Sequence, residues 1–217
     1  MLKAVLFDMD GTLGDTLALC IAAFRMSIEP LSGKKVTDEE IKATFGPSEE
    51  ATVRAFLPDR FDEGLAAYLR HYDELHGMCP DPFPGIRELL TFLKEKGLVL
   101  GVVTGKGPKS AALTFARYGM EGLFSDIETG DPYRIGKTDG IRRILARHEL
   151  RPDEAVYVGD APSDIVCARE AGVGMYAVTY ASTTNAEELI ALRPDEAFHS
   201  VDEMRAHFEK ILGTSLQ

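Results

Sequence analysis

Two patterns of apolar and polar positions alternate along this chain. Short unbroken apolar runs recur at Ala4-Val5-Leu6-Phe7, Leu98–Val103, Ala155-Val156-Tyr157-Val158-Gly159 and Met175–Thr179. Runs of that length suit strands buried on both faces. Phe124–Thr129 is a further strand candidate. Between the runs, apolar residues fall at helical spacing, which predicts helices over Ile86–Lys96, Pro108–Tyr118, Thr138–His148, Asp164–Ala171, Ala186–Leu192 and Val201–Leu212. Strands and helices in this alternation imply parallel βαβ units joined by right-handed crossovers. The expected class is α/β: a Rossmann-like parallel sheet core with helices on both faces.

Residues 14–82 break the alternation, with helical spacing throughout and no strand pattern. Leu17, Ile21, Phe24 and Ile28 mark a helix that should stop near Pro30 and Gly33. Thr37 and Glu40 have the spacing of a capping box, and Ser48 is placed to cap the helix through Ala51, Val53 and Phe56. Leu65, Tyr68, Leu69, Tyr72 and Leu75 mark another. The stretch Met78-Cys79-Pro80-Asp81-Pro82-Phe83-Pro84-Gly85 then reads as a stiff linker. The expectation is an α/β catalytic core, 1–13 and 83–217, interrupted by a helical-bundle cap domain, 14–82. Hinges near Gly14-Asp15 and Met78–Asp81 would let that cap act as a lid.

Composition narrows the partners. The 217 residues are 45% hydrophobic, enough for a real core, and 35 acidic against 24 basic residues give a net charge of −11. A chain so acidic is repelled by nucleic acid and by anionic membranes, so any anionic substrate must be held by local cations. Three scattered cysteines without metal-ligand spacing argue against zinc and for a reducing compartment. Cys20 and Cys167 read as buried fillers. With no signal-peptide pattern and no apolar stretch near the ~20 residues of a membrane span, a cytoplasmic protein, monomer or homodimer, is expected.

The chemistry gathers where the apolar runs end. The first run meets Asp8-Met9-Asp10-Gly11-Thr12, two carboxylates one residue apart before a glycine turn. Extended geometry would point Asp8 and Asp10 the same way, and carboxylates so crowded resist ionising until a cation joins them. Hard oxygen ligands suit magnesium. The Leu98–Val103 run ends in Thr104-Gly105-Lys106-Gly107, Lys137 opens a helix, and Ala155–Gly159 ends in Asp160 with Asp164 close behind. Open parallel sheets bind ligands beyond the carboxyl ends of their strands, so these groups form a cation site beside an anion site.

This ordered set resembles the four motifs of the haloacid dehalogenase superfamily of phosphatases. The resemblance spans nearly the whole chain, including a helical cap inserted after the first motif, and is greatest to the phosphoglycolate-phosphatase-like branch. It implies a magnesium-dependent phosphatase acting on a small phosphorylated metabolite. Asp8 would be the nucleophile that forms an aspartyl-phosphate, and Asp10 the general acid and base. Asp8, Asp10 through its backbone carbonyl, and Asp160 would hold Mg2+. Thr104 and Gly105 would hold phosphoryl oxygens, Lys137 would balance charge on nucleophile and phosphate, and Asp164 would orient Lys137 or a metal-bound water.

Two positions depart from the family pattern. Thr138 follows Lys137 where proline is usual, and Lys106 is a rival for the same charge. Gly14 stands where relatives carry a bulkier apolar residue, either loosening the hinge or relieving crowding. Inorganic pyrophosphatase and β-phosphoglucomutase are alternatives on the same scaffold, and a non-catalytic binding protein is a third reading. Residues 14–82 hold 13 acidic and 7 basic residues, with no basic cluster for a large polyanion. Within them Gly46-Pro47-Ser48 and Arg54 are candidates to reach the site. His71 and His76 are expected at the surface, and Lys34 and Lys35 in a loop.

Overall fold

The computed structural model describes residues 1–133 and 136–213. Six strands, β1 (Ala4–Phe7), β2 (Val99–Val103), β3 (Asp126–Glu128), β4 (Ala155–Gly159), β5 (Gly174–Val178) and β6 (Glu196–Phe198), form one sheet. Its order is β3-β2-β1-β4-β5-β6, and every neighbouring pair runs parallel. The central strand β1 is buried along its whole length, and its Phe7 is in register with Val102 on one side and Val158 on the other. The chain first builds outward on one side of β1 and then crosses to the other. A crevice therefore opens at the carboxyl ends of β1, β2 and β4.

Alternation along β1 divides the core in two. Val5 and Phe7 pack with apolar side chains of α5 (Ile86–Glu95), α6 (Pro108–Tyr118) and α10 (Val201–Gly213). Ala4 and Leu6 pack with those of α7 (Lys137–Arg147), α8 (Pro162–Ala171) and α9 (Ala186–Ala191). Successive strand residues point to opposite faces, so a strand with apolar residues at every position must be covered twice. The expected α/β class holds.

Four helices follow β1: α1 (Leu17–Ser32), α2 (Asp38–Lys42), α3 (Glu49–Phe56) and α4 (Phe61–Glu74). They bury a cluster of their own around Phe24, Ile28, Ile41, Val53, Tyr68 and Tyr72, with Phe24 stacked on Tyr68. The capping box at Thr37 and Glu40 is present. α1 outruns Pro30 by two residues, because the proline sits in the last turn and the helix ends at Gly33 with φ +70°. Ser48 occupies the cap position of α3 but gives its hydroxyl to the Glu50 carboxylate and makes no side-chain cap bond. Leu13 and Phe83 bracket this helical block, and the Phe83 N–H donates to the Leu13 carbonyl at 3.0 Å.

A side chain at Gly14 would lie 2.3 Å from the Tyr118 hydroxyl, so the glycine is required by close packing, which is the crowding alternative. His76 is buried, contrary to the surface position expected of it. Its ring lies edge-on to Tyr72 and Tyr118, and burial holds its imidazole below the ordinary range. His71 is half-buried beside Glu74.

Candidate active site

The loop after β1 places Asp8 at the crevice. Its backbone N–H still pairs with Val158, which continues the parallel ladder one residue beyond the strand. Gly11 (φ +80°) then turns the chain, and a Cβ there would lie 2.1 Å from Asp160 Oδ2. Only glycine lets the first loop come this close to the carboxylate that follows β4.

The carboxylates and cations are then fixed pairwise. Lys137 Nζ lies 2.8 Å from Asp8 Oδ2 and 2.7 Å from Asp164 Oδ1. Asp164 also accepts from the backbone N–H groups of Asp160 and Ala161 at 3.1 and 3.0 Å, so it caps the start of α8 and holds Lys137 at once. Asp160 accepts from the hydroxyls of Thr12 and Thr184, each at 3.1 Å. Asp10 faces elsewhere: Lys106 Nζ is 3.1 Å from its Oδ1, and the Thr16 hydroxyl donates to the same oxygen. The side chain of Asp10 thus lies with Lys106. The two lysines divide the work, Lys137 beside Asp8 and Lys106 beside Asp10.

Burial sets the protonation. It pushes the Asp8 carboxyl up to about 6, although Lys137 pulls the other way. Burial, with the charges of Asp8 and Asp164, pushes Asp160 up to about 8. Burial opposes the charge of Lys137, but Asp164 and Asp8 outweigh it and hold the ammonium above its ordinary range. Lys106 is raised in the same way, chiefly by Asp10.

The donor set fits a hard divalent cation. Asp8, Asp160 and Asp164 each present a carboxylate oxygen within 4.8 Å of one another. Asp8 Oδ1 is buried without a hydrogen-bond partner, an orphan that a cation would satisfy. Asp164 is spoken for by Lys137 and two backbone donors, so Asp8 and Asp160 are the residues with oxygens to give. A divalent cation held there requires that those carboxyls be ionised. Both folded-state pKa values are raised, so between about 3.8 and about 8 the folded metal-free chain holds more protons than the unfolded one. Its stability from these groups is greatest below that window and is lost as pH rises through it. Magnesium should therefore raise the melting temperature more at pH 8.5 than at pH 5.5, as read by thermal melts with and without the ion. An equal gain at both would mean that these carboxyls do not bind it.

A cavity of about 380 Å³ covers the cluster. Its floor carries Asp8, Asp10, Asp160, Thr104, Gly105 and the two lysines, and its roof comes from the helices after β1. Thr104 is buried, and its hydroxyl accepts from the Lys106 N–H at 3.2 Å, which leaves its own proton free. Gly46 and Pro47 line the roof. Arg54 is exposed and stacks on Phe61, 4.2 Å from the ring centroid, away from the lining. Three lining or supporting residues were not expected. Cys20 is more than a filler: its sulfur lies 3.2 Å from Lys106 Nζ. The Tyr72 ring underlies the same ammonium at 4.3 Å. Glu49, in the acidic first turn of α3, is buried against the start of α6.

A parallel α/β sheet with an acidic cluster at its switch point, covered by a helical insert, defines a hydrolase of the haloacid dehalogenase type. The haloacid dehalogenase-like hydrolase family model matches residues 5–178, and the chain belongs to that family. Similar proteins include pyrophosphatase PpaX of Bacillus pumilus, 30% identical over 94% of this chain and 95% of the relative. The phosphoglycolate phosphatase of Synechococcus elongatus is 26% identical over 89% and 91%. Among solved structures, a haloacid dehalogenase-like hydrolase from Streptococcus pneumoniae superposes with a TM-score of 0.76 at 27% identity, covering 95% of this chain and 98% of that one. No helix among the described residues is long and apolar enough to cross a membrane.

Proposed function

We propose that this hydrolase is a magnesium-dependent phosphatase that cleaves a small phosphomonoester through an aspartyl-phosphate on Asp8. The observation that carries the reading is the buried orphan oxygen of Asp8 beside Asp160, with Lys137 clamped to the other Asp8 oxygen. Magnesium, held by Asp8, Asp160 and the Asp10 carbonyl, would neutralise phosphoryl oxygens so that a carboxylate can approach an anion. Lys137 keeps Asp8 ionised and aligned, and adds positive charge where the transition state is most negative. Thr104 and Gly105 line the cavity, and the Thr104 hydroxyl and the Gly105 amide would donate to the phosphoryl oxygens. Asp10 protonates the leaving oxygen and then takes a proton from the water that releases phosphate, and Lys106 and Thr16 hold it in place.

Residues 14–82 act as the cap, opening on the paired connections at Leu13 and Phe83 and closing water out. Three free cysteines suit action in the cytoplasm. Names of relatives support the phosphatase reading as far as phosphate chemistry, and pyrophosphate hydrolysis is the second reading that they favour. The test is p-nitrophenyl phosphate with magnesium or with chelator. Nitrophenol release that stops on chelation is expected, and no metal-dependent release would leave the non-catalytic alternative.

A further inference from the structure

The roof of the cavity bears on what leaves with the phosphate. Leu17 and Phe24 of α1, Phe45, and Tyr68 of α4 make it apolar. The remaining charged group on that side is the Glu49 carboxylate, 6% exposed. It accepts from the Gly107 N–H and from the Ser110 hydroxyl, the latter at 2.6 Å, both at the amino end of α6. A helix amino end facing a cavity is where an anionic substituent would be received. In this cavity the protein's own carboxylate already fills it. Both lysines of the lining are also engaged, Lys106 with Asp10 and Lys137 with Asp8 and Asp164. Among the described residues of the lining, no cation is left for a second negative group on the substrate.

Resting on the phosphatase reading, we infer that the leaving group is an uncharged, carbon-rich alcohol, and that Glu49 is the specificity residue that excludes leaving groups carrying a second anion. A carboxylate or phosphate placed under this roof would lose its water without gaining a cation from the described lining, and would face Glu49 as a like charge. The substrates in the names of the relatives, phosphoglycolate and pyrophosphate, both carry such a group. An aliphatic or aromatic alcohol would instead bury its carbon surface against Phe24, Phe45 and Tyr68. Glu49 is thus a binding-site residue that acts on the non-reacting part of the substrate.

The wild-type protein with magnesium is assayed for phosphate release from benzyl phosphate, 2-phosphoglycolate and pyrophosphate at one pH. Benzyl phosphate should have a kcat/KM at least about tenfold above the other two, a gap equal to roughly 1.4 kcal/mol. Glu49→Gln should narrow the ratio of benzyl phosphate to phosphoglycolate, measured within the variant. Equal or better use of phosphoglycolate or pyrophosphate by the wild type overturns the inference while leaving the phosphatase reading standing. An unchanged ratio in a folded Glu49→Gln protein overturns the role of Glu49. No metal-dependent release from any of the three removes the phosphatase reading, and this inference with it. The wild-type comparison decides the leaving-group class even if the variant does not fold.

Discussion

Asp8→Asn should lower magnesium-dependent phosphate release on the order of 10⁴-fold or more, the scale of losing a nucleophile. An amide has the shape of the carboxylate but cannot attack phosphorus at a useful rate. The fold should survive the change. The amide fills the same buried volume, Lys137 keeps Asp164 at 2.7 Å, and one of three crowded carboxylates is removed. Steady-state rates should therefore collapse while the circular-dichroism spectrum and the metal-free melting temperature hold. Substantial residual turnover, with Asp8→Asn shown intact by mass, would mean that another group attacks.

The second large effect separates the two lysines. On the proposed mechanism Lys137→Ala should cost about 10³-fold in kcat, because it strips the cation from Asp8 and from the phosphoryl group together. It should also destabilise the protein by about 3–5 kcal/mol, since Asp8 and Asp164 would be left buried without their counter-charge. Lys106→Ala should cost less in rate, about 10–100-fold, because Asp10 retains the Thr16 hydroxyl and the reacting phosphoryl group keeps Lys137. Side-by-side kinetics and denaturant titrations of the two variants give the answer. The opposite ranking would make Lys106, and not Lys137, the cation that serves the phosphoryl group.

The sheet was readable because its inner strands are unbroken apolar runs, a pattern that parallel strands covered on both faces impose. β4 begins and ends where the run does, and β1 likewise. The edge strand β6 escaped notice because Glu196-Ala197-Phe198 is only three residues long and opens on an exposed acid, so it carries no apolar run of the length that marks the inner strands. The acidic site residues were legible for a related reason: charge at the end of a buried strand is costly unless it serves a ligand.

Residues whose role depends on a partner far along the chain were not legible. Whether Lys106 or Lys137 meets Asp8 is decided by where the β2 and α7 loops cross, which no local spacing records. Glu49 looks identical to any acid that favours a helix start, until α6 is packed against it. His76 is polar in sequence, yet it fills a slot between two tyrosine rings that tertiary packing alone creates.

The bond between the Phe83 N–H and the Leu13 carbonyl has a consequence for descent. It brings the ends of the helical insert together on the sheet side, so whatever is looped out between them is invisible to the strand register. Doubling the length of such a loop costs only about 0.6 kcal/mol in closure entropy. The seam at Leu13 and Phe83 is thus a graft point, where the looped-out length can grow or shrink without disturbing the sheet, while Thr16, Cys20 and Tyr72 tie any such change to Asp10 and Lys106.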